Sequence, residues 1–122
     1  IFYRKFKLSR RICITMILRN KGITAPQLTK IMTDIDLHTK VLSLSYNHFG
    51  DEDALILSQK LPLSIKELGL VDCHIGEKGG FALLEWVKKA DSLTMLCIEH
   101  NNFSDDLQKR FREVTKSIDL YI

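Results

Sequence analysis

No two of the three cysteines, Cys13, Cys73 and Cys97, stand in a C-x-x-C pair, and their number is odd. That excludes a disulfide framework and a zinc ribbon, and it fits a reducing, intracellular setting. Apolar runs are broken by charge well short of the ~18 residues a membrane-spanning helix needs. No apolar stretch with a small-residue cleavage site opens the chain, which starts at Ile1. A transmembrane segment is therefore not expected; a chain that begins at Ile1 and not at Met is open to being a fragment or a processed form, with targeting signals outside it. Gly76, Gly79 and Gly80 are not followed by Lys-Ser/Thr and lack the dinucleotide spacing, so they form no phosphate loop and are expected to serve close packing.

Acidic residues are also missing from the first 21 positions, which carry Arg4, Lys5, Lys7, Arg10, Arg11, Arg19 and Lys21. The remainder holds 11 basic against 15 acidic residues, a net −4. A basic leader on an acidic body could address nucleic acid or anionic lipid through residues 4–11. The interleaved Phe2, Tyr3, Phe6 and Leu8 point instead to a segment that covers one end of a core.

What the chain does have is a repeat. Leu42-Ser-Leu44-Ser-Tyr-Asn47-His-Phe49, Leu68-Gly-Leu70-Val-Asp-Cys73-His-Ile75 and Leu96-Cys-Ile98-Glu-His-Asn101-Asn-Phe103 all read L-x-L-x-x-N/C-x-L, spaced by 26 and then 28 residues. A further step back of 26 lands on Met16-Ile-Leu18-Arg-Asn-Lys21-Gly-Ile23, which keeps the apolar anchors and puts Lys21 in place of the Asn or Cys. The L-x-L portion suits a short strand with both leucines inward and the residue between them outward. Identical registers stack such strands in parallel. The Asn amide can satisfy backbone groups where the chain leaves the strand, and Cys is small enough for the same buried place. Asn47 and Asn101 are thus expected to be structural.

A helical half follows each turn. Leu28, Ile31, Met32 and Ile35, then Ala54, Leu57, Ser58 and Leu61, then Gly80, Leu83, Leu84 and Val87 recur at the intervals of one apolar helix face. Asp51 and Glu52, Glu77, and Ser104 with Asp105 and Asp106 mark helix starts, and Pro26 sits in a first turn where its missing N–H is not needed. Leu107, Phe111, Val114 and Ile118 follow a plain amphipathic period. The expected layout is one α/β domain over 1–122: a basic cap segment at 1–11, repeats at 12–103, and a cap helix at 104–122 whose outer side is polar because nothing stacks on it.

Together these features resemble the leucine-rich repeat superfamily, and the 26 to 28 residue period with alternating Asn and Cys resembles its ribonuclease-inhibitor-type branch. The resemblance spans about residues 13–111 and implies a curved solenoid of about four repeats, with short parallel strands on the concave face and helices on the convex face. Lys21, Thr39, and the pair Asp53 and Gln27, where the third repeat has Gly79, depart from the pattern. Short stacks of this kind are similar to modules in intracellular receptors, in actin-capping proteins and in effectors that intracellular bacteria deliver into host cells. Some relatives inhibit an enzyme by lying across its active site.

In that frame the outward strand positions form columns: Thr15, Val41, Glu67, Met95; Ile17, Ser43, Gly69, Cys97; Arg19, Ser45, Val71, Glu99; and, at the strand exits, Asn20, Tyr46, Asp72, His100. Ser43, Gly69 and Ser45 outline a shallow trough. The candidate partner-binding residues are Arg19, Tyr46, Glu67, Val71, Asp72, Met95, Glu99 and His100, an aromatic anchor beside carboxylates that would suit a basic or amphipathic projection of a protein. The competing reading is that Tyr46 and Met95 only cover strand edges. Leu55, Ile56, Phe81 and Trp86 form a second, convex candidate unless neighbouring helices bury them.

Catalytic and metal chemistry have weak support. His48 and His74 share a column near His100 without a clear set of partner ligands. Cys97 lies close to Glu99 and His100, but side chains two or three apart on a strand do not converge. The expectation is a non-enzymatic interaction module with no cofactor, metal, nucleic acid or small-molecule substrate. It would bind a protein partner on the concave face and inhibit or mask it. It would be intracellular and cytoplasmic, in the host cytosol if a bacterial effector. The alternative is a regulatory or targeting domain of a larger enzyme or receptor.

Overall fold

A computed structural model describes residues 3–8 and 11–122, with side chains from Ile14 onward. The elements run β1 (Tyr3–Leu8), β2 (Arg11–Ile17), α1 (Ala25–Asp34), β3 (Thr39–Ser43), α2 (Asp51–Lys60), β4 (Glu67–Gly69), α3 (Glu77–Lys89), β5 (Met95–Cys97), α4 (Asp105–Val114) and β6 (Asp119–Tyr121). They build a six-stranded sheet in the order β1-β2-β3-β4-β5-β6. From β2 to β6 every pairing is parallel, and β1 pairs antiparallel with β2. The helices lie side by side in chain order, each against the next. Strand then helix, repeated in parallel, is the leucine-rich-repeat-like solenoid that the sequence implied.

The anchors of the motif are the core. Leu42, Leu68 and Leu96 stand in register across β3, β4 and β5, each no more than 2% exposed. Leu18, Leu44, Leu70 and Ile98 form a second buried row at the strand ends. On the helical side Leu28, Met32, Ala54, Leu57, Leu83, Leu84 and Val87 close the same core. Thr39, a departure from the apolar pattern, is fully buried and donates its hydroxyl to the Asp36 carbonyl at 2.7 Å, so its polarity is matched.

Each turn amide of the motif serves the repeat before it. The Asn47 Oδ1 accepts the Lys21 and Ile23 N–H groups at 3.2 Å each, while its Nδ2 donates to the Leu18 and Leu44 carbonyls at 2.8 Å. Asn101 does the same for the next pair: Cys73 N at 3.0 Å, Ile75 N at 3.1 Å, and the Leu70 and Ile98 carbonyls. Cys73, between them, donates its thiol to the Leu44 carbonyl at 3.3 Å and cannot accept two N–H groups in this way. The Phe49 and Gly50 N–H groups therefore go to the Cys73 backbone carbonyl at 3.2 and 3.1 Å. Beside β2 the described residues place the antiparallel β1 and no parallel repeat, so a turn amide at Lys21 has no such neighbour to serve there.

Helix starts are tied together across repeats. Thr24 and Gln27 form a reciprocal capping box at α1, with Pro26 in its first turn. Gln27, out of pattern by sequence, is thus in place as a cap. Asp51 opens α2 and reaches forward, its Oδ1 accepting the Gly76 and Gly79 N–H groups of α3 at 2.8 and 2.9 Å. Glu77 accepts in turn from the backbone and hydroxyl of Ser104 at the start of α4. Gly79 and Gly80 let α3 approach its neighbours: a Cβ on Gly80 would stand 2.5 Å from Leu107 Cδ2 and 2.7 Å from Phe103 Cε1. The close-packing role expected for these glycines holds.

The C-terminal expectation changes, and on the convex side the burial alternative holds for Trp86. The segment 104–122 is not one cap helix: α4 ends at Val114, the Thr115 hydroxyl donates to the Phe111 carbonyl, and β6 adds a strand through Asp119 N to Thr94 O at 2.9 Å and Ile98 N to Tyr121 O at 2.8 Å. Val114 is accordingly 40% exposed and not a buried position. On the convex side Trp86 is 3% exposed and its Nε1 donates to the Leu61 carbonyl, because α3 packs into the space beside α2. Leu55 and Ile56 are half-buried, and only Phe81 stays open, with the Arg110 guanidinium 5.8 Å from its ring centre. At the other end, the proposed cap residues Phe2, Tyr3, Phe6 and Leu8, like the basic residues 4–11, lie outside the described residues and side chains. What is described there is a backbone hairpin, with Tyr3 opposite Met16 and Leu8 opposite Arg11.

Candidate binding face

The side of the sheet away from the helices is built from the residues between the leucines. The register reproduces the columns: Thr15, Val41, Glu67, Met95 and now Asp119 in one; Ile17, Ser43, Gly69, Cys97 and now Tyr121 in the next. Arg19, Ser45, Val71 and Glu99 follow at the strand ends, where Asn20 N donates to Ser45 O and Asp72 N to Glu99 O.

At the strand exits the chain takes the left-handed conformation each time: φ is 50° at Asn20, 61° at Tyr46, 49° at Asp72 and 61° at His100. For residues other than glycine this costs on the order of 1 kcal/mol or more each. Asn and Asp tolerate it best, whereas Tyr46 is held there by the surrounding ladder. The Tyr46 N–H donates to the Val71 carbonyl at 2.7 Å. The same bend in every repeat keeps the turn amides in line.

Five of the eight candidate residues meet around one hollow of about 280 Å³: Arg19, Tyr46, Glu67, Val71 and Met95, with Val41, Ser43, Gly69 and Cys97 completing its walls. Ile17 beside it is 47% exposed, Tyr46 44% and Tyr121 49%. Asp72 faces a neighbouring open groove with His48 and His74, whose rings stack at 4.0 Å. His74 Nε2 lies 3.9 Å from the Asp72 carboxylate. Arg19 and Tyr46 border both, the guanidinium 5.1 Å from the ring centre. Glu99 stands on the adjoining strand end, and His100 lines neither hollow. Ser45 differs from expectation: it is 4% exposed and its hydroxyl oxygen accepts the Val71 N–H, so it forms the floor and is not free in the trough.

The electrostatics of this face are one-sided. The ion pairs among the described residues lie on helices, in the loop before β3 or at the exit of β4, and none joins Glu67, Glu99 or Asp119. Burial, with Glu99 and Glu67 adding to it, pushes the Cys97 thiol above its ordinary value. Burial pushes the Cys73 thiol up to about 11. Neither sulfur is poised as a thiolate nucleophile. Among the described residues no three His, Cys, Asp or Glu side chains are placed to share a metal ion, and no helix is long and apolar enough to cross a membrane.

Asp119 and Tyr121 extend the face beyond the columns that the repeat motif defines. The available signal is the alternation Ile118, Leu120, Ile122, which has strand period. Ile17, Val41 and Cys97 stand in the columns but outside the candidate set.

Comparison with known proteins finds no family model and no curated protein sequence that matches. Among solved structures the fold matches a chain titled "Leiomodin-1 Actin-Binding Site 2 (ABS2)", with a TM-score of 0.73 and 18% identity over 88% of this chain and 68% of that one. At that identity the likeness concerns the fold: both are leucine-rich-repeat-like.

Proposed function

We propose that the protein is a non-enzymatic binding module that engages a protein partner on the strand face. One observation carries the reading: the side of the sheet opposite the helices exposes Ile17, Tyr46 and Tyr121, half-exposes Val41, Val71 and Met95, and leaves Glu67 and Glu99 beside them without ion pairs among the described residues. Exposed apolar surface rimmed by polar groups marks interaction sites, and repeat solenoids offer such surfaces for binding. The solved structure of like fold is, by its title, an actin-binding site, which supports a protein-binding use of this architecture without naming a partner here.

The resemblance to ribonuclease-inhibitor-type repeats supports inhibition or masking of the partner, and the free thiols of Cys73 and Cys97 support an intracellular place; a bacterial effector working in a host cytosol is one setting for both. In a longer chain the same face would serve as the targeting surface of an enzyme or receptor. The test is to replace Tyr46 and Glu99 together by alanine and measure affinity for a partner isolated with the unaltered protein. Affinity falls at least tenfold if the reading is right; unchanged affinity in a folded variant sinks it.

A further inference from the structure

The layout of charge on the strand face says more about the occupant than that it is a protein. Glu67 and Asp119 lie in the first column two strands apart, roughly 10 Å at the usual strand spacing. Glu99 lies four residues along the chain from Met95, roughly 13 Å from that column at the rise of a strand. Asp72 is beyond it, at the exit of β4. Between these two acidic margins lies the column of Ile17, Gly69, Cys97 and Tyr121, while Val41 and Met95 stand in the first column with Glu67 and Asp119, and Val71 in the third with Glu99. Among the described residues Arg19 is the one cation bordering the hollow, and it is already placed over the Tyr46 ring.

A single α-helix is about 10–12 Å across with its side chains, and residues seven apart on one side are about 10.5 Å apart along it. A helix laid across the strands would therefore put one apolar stripe on the middle column and one row of side chains over each acidic margin. Its rows would meet Glu67 and Asp119 on one side and Glu99 on the other. Carboxylates that no cation of the described chain neutralises, beside apolar surface, gain most from cations brought by a partner. We infer that the strand face takes an amphipathic α-helix of the partner with an apolar stripe flanked on both sides by lysine or arginine. The inference rests on the protein-binding reading above and adds the chemistry and shape of what binds.

Two synthetic helices of about 18 residues, five turns, test it. They share one leucine stripe, flanked on both sides by lysine in one and by glutamate in the other. Binding is followed by fluorescence anisotropy against the full chain, its Glu67→Lys/Glu99→Lys variant, and Gly69→Phe. The Gly69→Phe change fills the hollow where an added Cβ would meet the Ser45 and Ser43 hydroxyls at 3.1 and 3.3 Å and the Ser43 Cα at 3.7 Å. Ser43→Phe serves if that variant does not fold. The lysine helix is expected to bind about tenfold or more tighter than the glutamate helix and to weaken with salt. It should lose about tenfold on the charge-reversed variant and fail on the filled hollow. A lysine helix that binds no better than the glutamate helix, or is indifferent to charge reversal, overturns the inference. If the glutamate helix binds and the filled hollow abolishes that binding, the face remains a docking surface and only its preference is wrong. If binding of both helices ignores Gly69→Phe and Ser43→Phe, the reading of the face itself fails.

Discussion

The carboxylates of the helical side and those of the strand side do different jobs. On the helices, Asp51 holds the start of α3, Glu77 the start of α4, and Glu52, Glu85 and Asp106 sit within 3.6 Å of a lysine or arginine nitrogen. On the strands, Glu67, Glu99 and Asp119 touch no cation among the described residues. Charge on the first side belongs to the fold, and charge on the second has no internal use. Function is therefore to be sought where polar side chains do nothing for stability.

Substitutions can break or sharpen that contrast. The largest effect sets the scale for the framework. Asn47→Ala removes five hydrogen bonds, four of them buried, and takes the Oδ1 acceptor away from the Lys21 and Ile23 N–H groups, and should cost about 3 kcal/mol in denaturant unfolding. Asp51→Ala frees the Gly76 and Gly79 N–H groups at the start of α3 and should cost about 1–2 kcal/mol, near the upper range for a lost cap. An equal loss from Glu99→Ala would erase the contrast.

Asp53 is the exception on the helical side and predicts an opposite sign. It is 7% exposed, its Oδ1 has no hydrogen-bond partner, and burial followed by the nearby Glu52 charge raises its pKa above 3.8. An acid whose folded value is raised stabilises the fold fully below its unfolded value. That stability is lost as pH climbs through the folded value. Asp53→Ala should therefore gain about 1 kcal/mol at pH 7, the low end of the cost of an unsatisfied buried group. The gain should disappear below about pH 3.8 in thermal melts across pH. The smallest effect belongs to the strand face: Glu67→Gln with Glu99→Gln should change stability by less than about 0.5 kcal/mol, as surface substitutions away from structural features do. A loss of 2 kcal/mol there would make these acids part of the framework.

Much of this architecture is legible in the sequence, because a motif that repeats also fixes its register. Once Leu42, Leu68 and Leu96 are aligned, Val41, Glu67 and Met95 must be neighbours across the sheet. What stays hidden depends on sizes and distances that a pattern does not carry. Trp86 faces outward in the repeat frame, but α3 and α2 lie close enough to enclose its ring and offer it the Leu61 carbonyl. Ser45 reads as trough and is floor, because its hydroxyl closes onto Val71 N. β6 hides in the sequence because its leucine comes 24 residues after Leu96, off the 26 to 28 residue period. The hairpin of β1 departs from the parallel repeat altogether.

The turn amides give the molecule a direction. Asn47 completes the unit that precedes it in the chain, and Asn101 completes the unit that precedes its own, so at the strand turns each link depends on its successor, whereas Asp51 and Glu77 tie the helix starts in the other sense. A proteolytic cut that removes Asn101 would strip the Cys73 and Ile75 N–H groups of their acceptor, while a cut before β3 would take donors from the Ser43 and Ser45 carbonyls and partners from the Asn47 amide but leave no downstream turn N–H without its Asn acceptor. Fraying should accordingly travel from the carboxyl end inward, and amide exchange at Cys73 and Ile75 should quicken before exchange at Lys21 and Ile23.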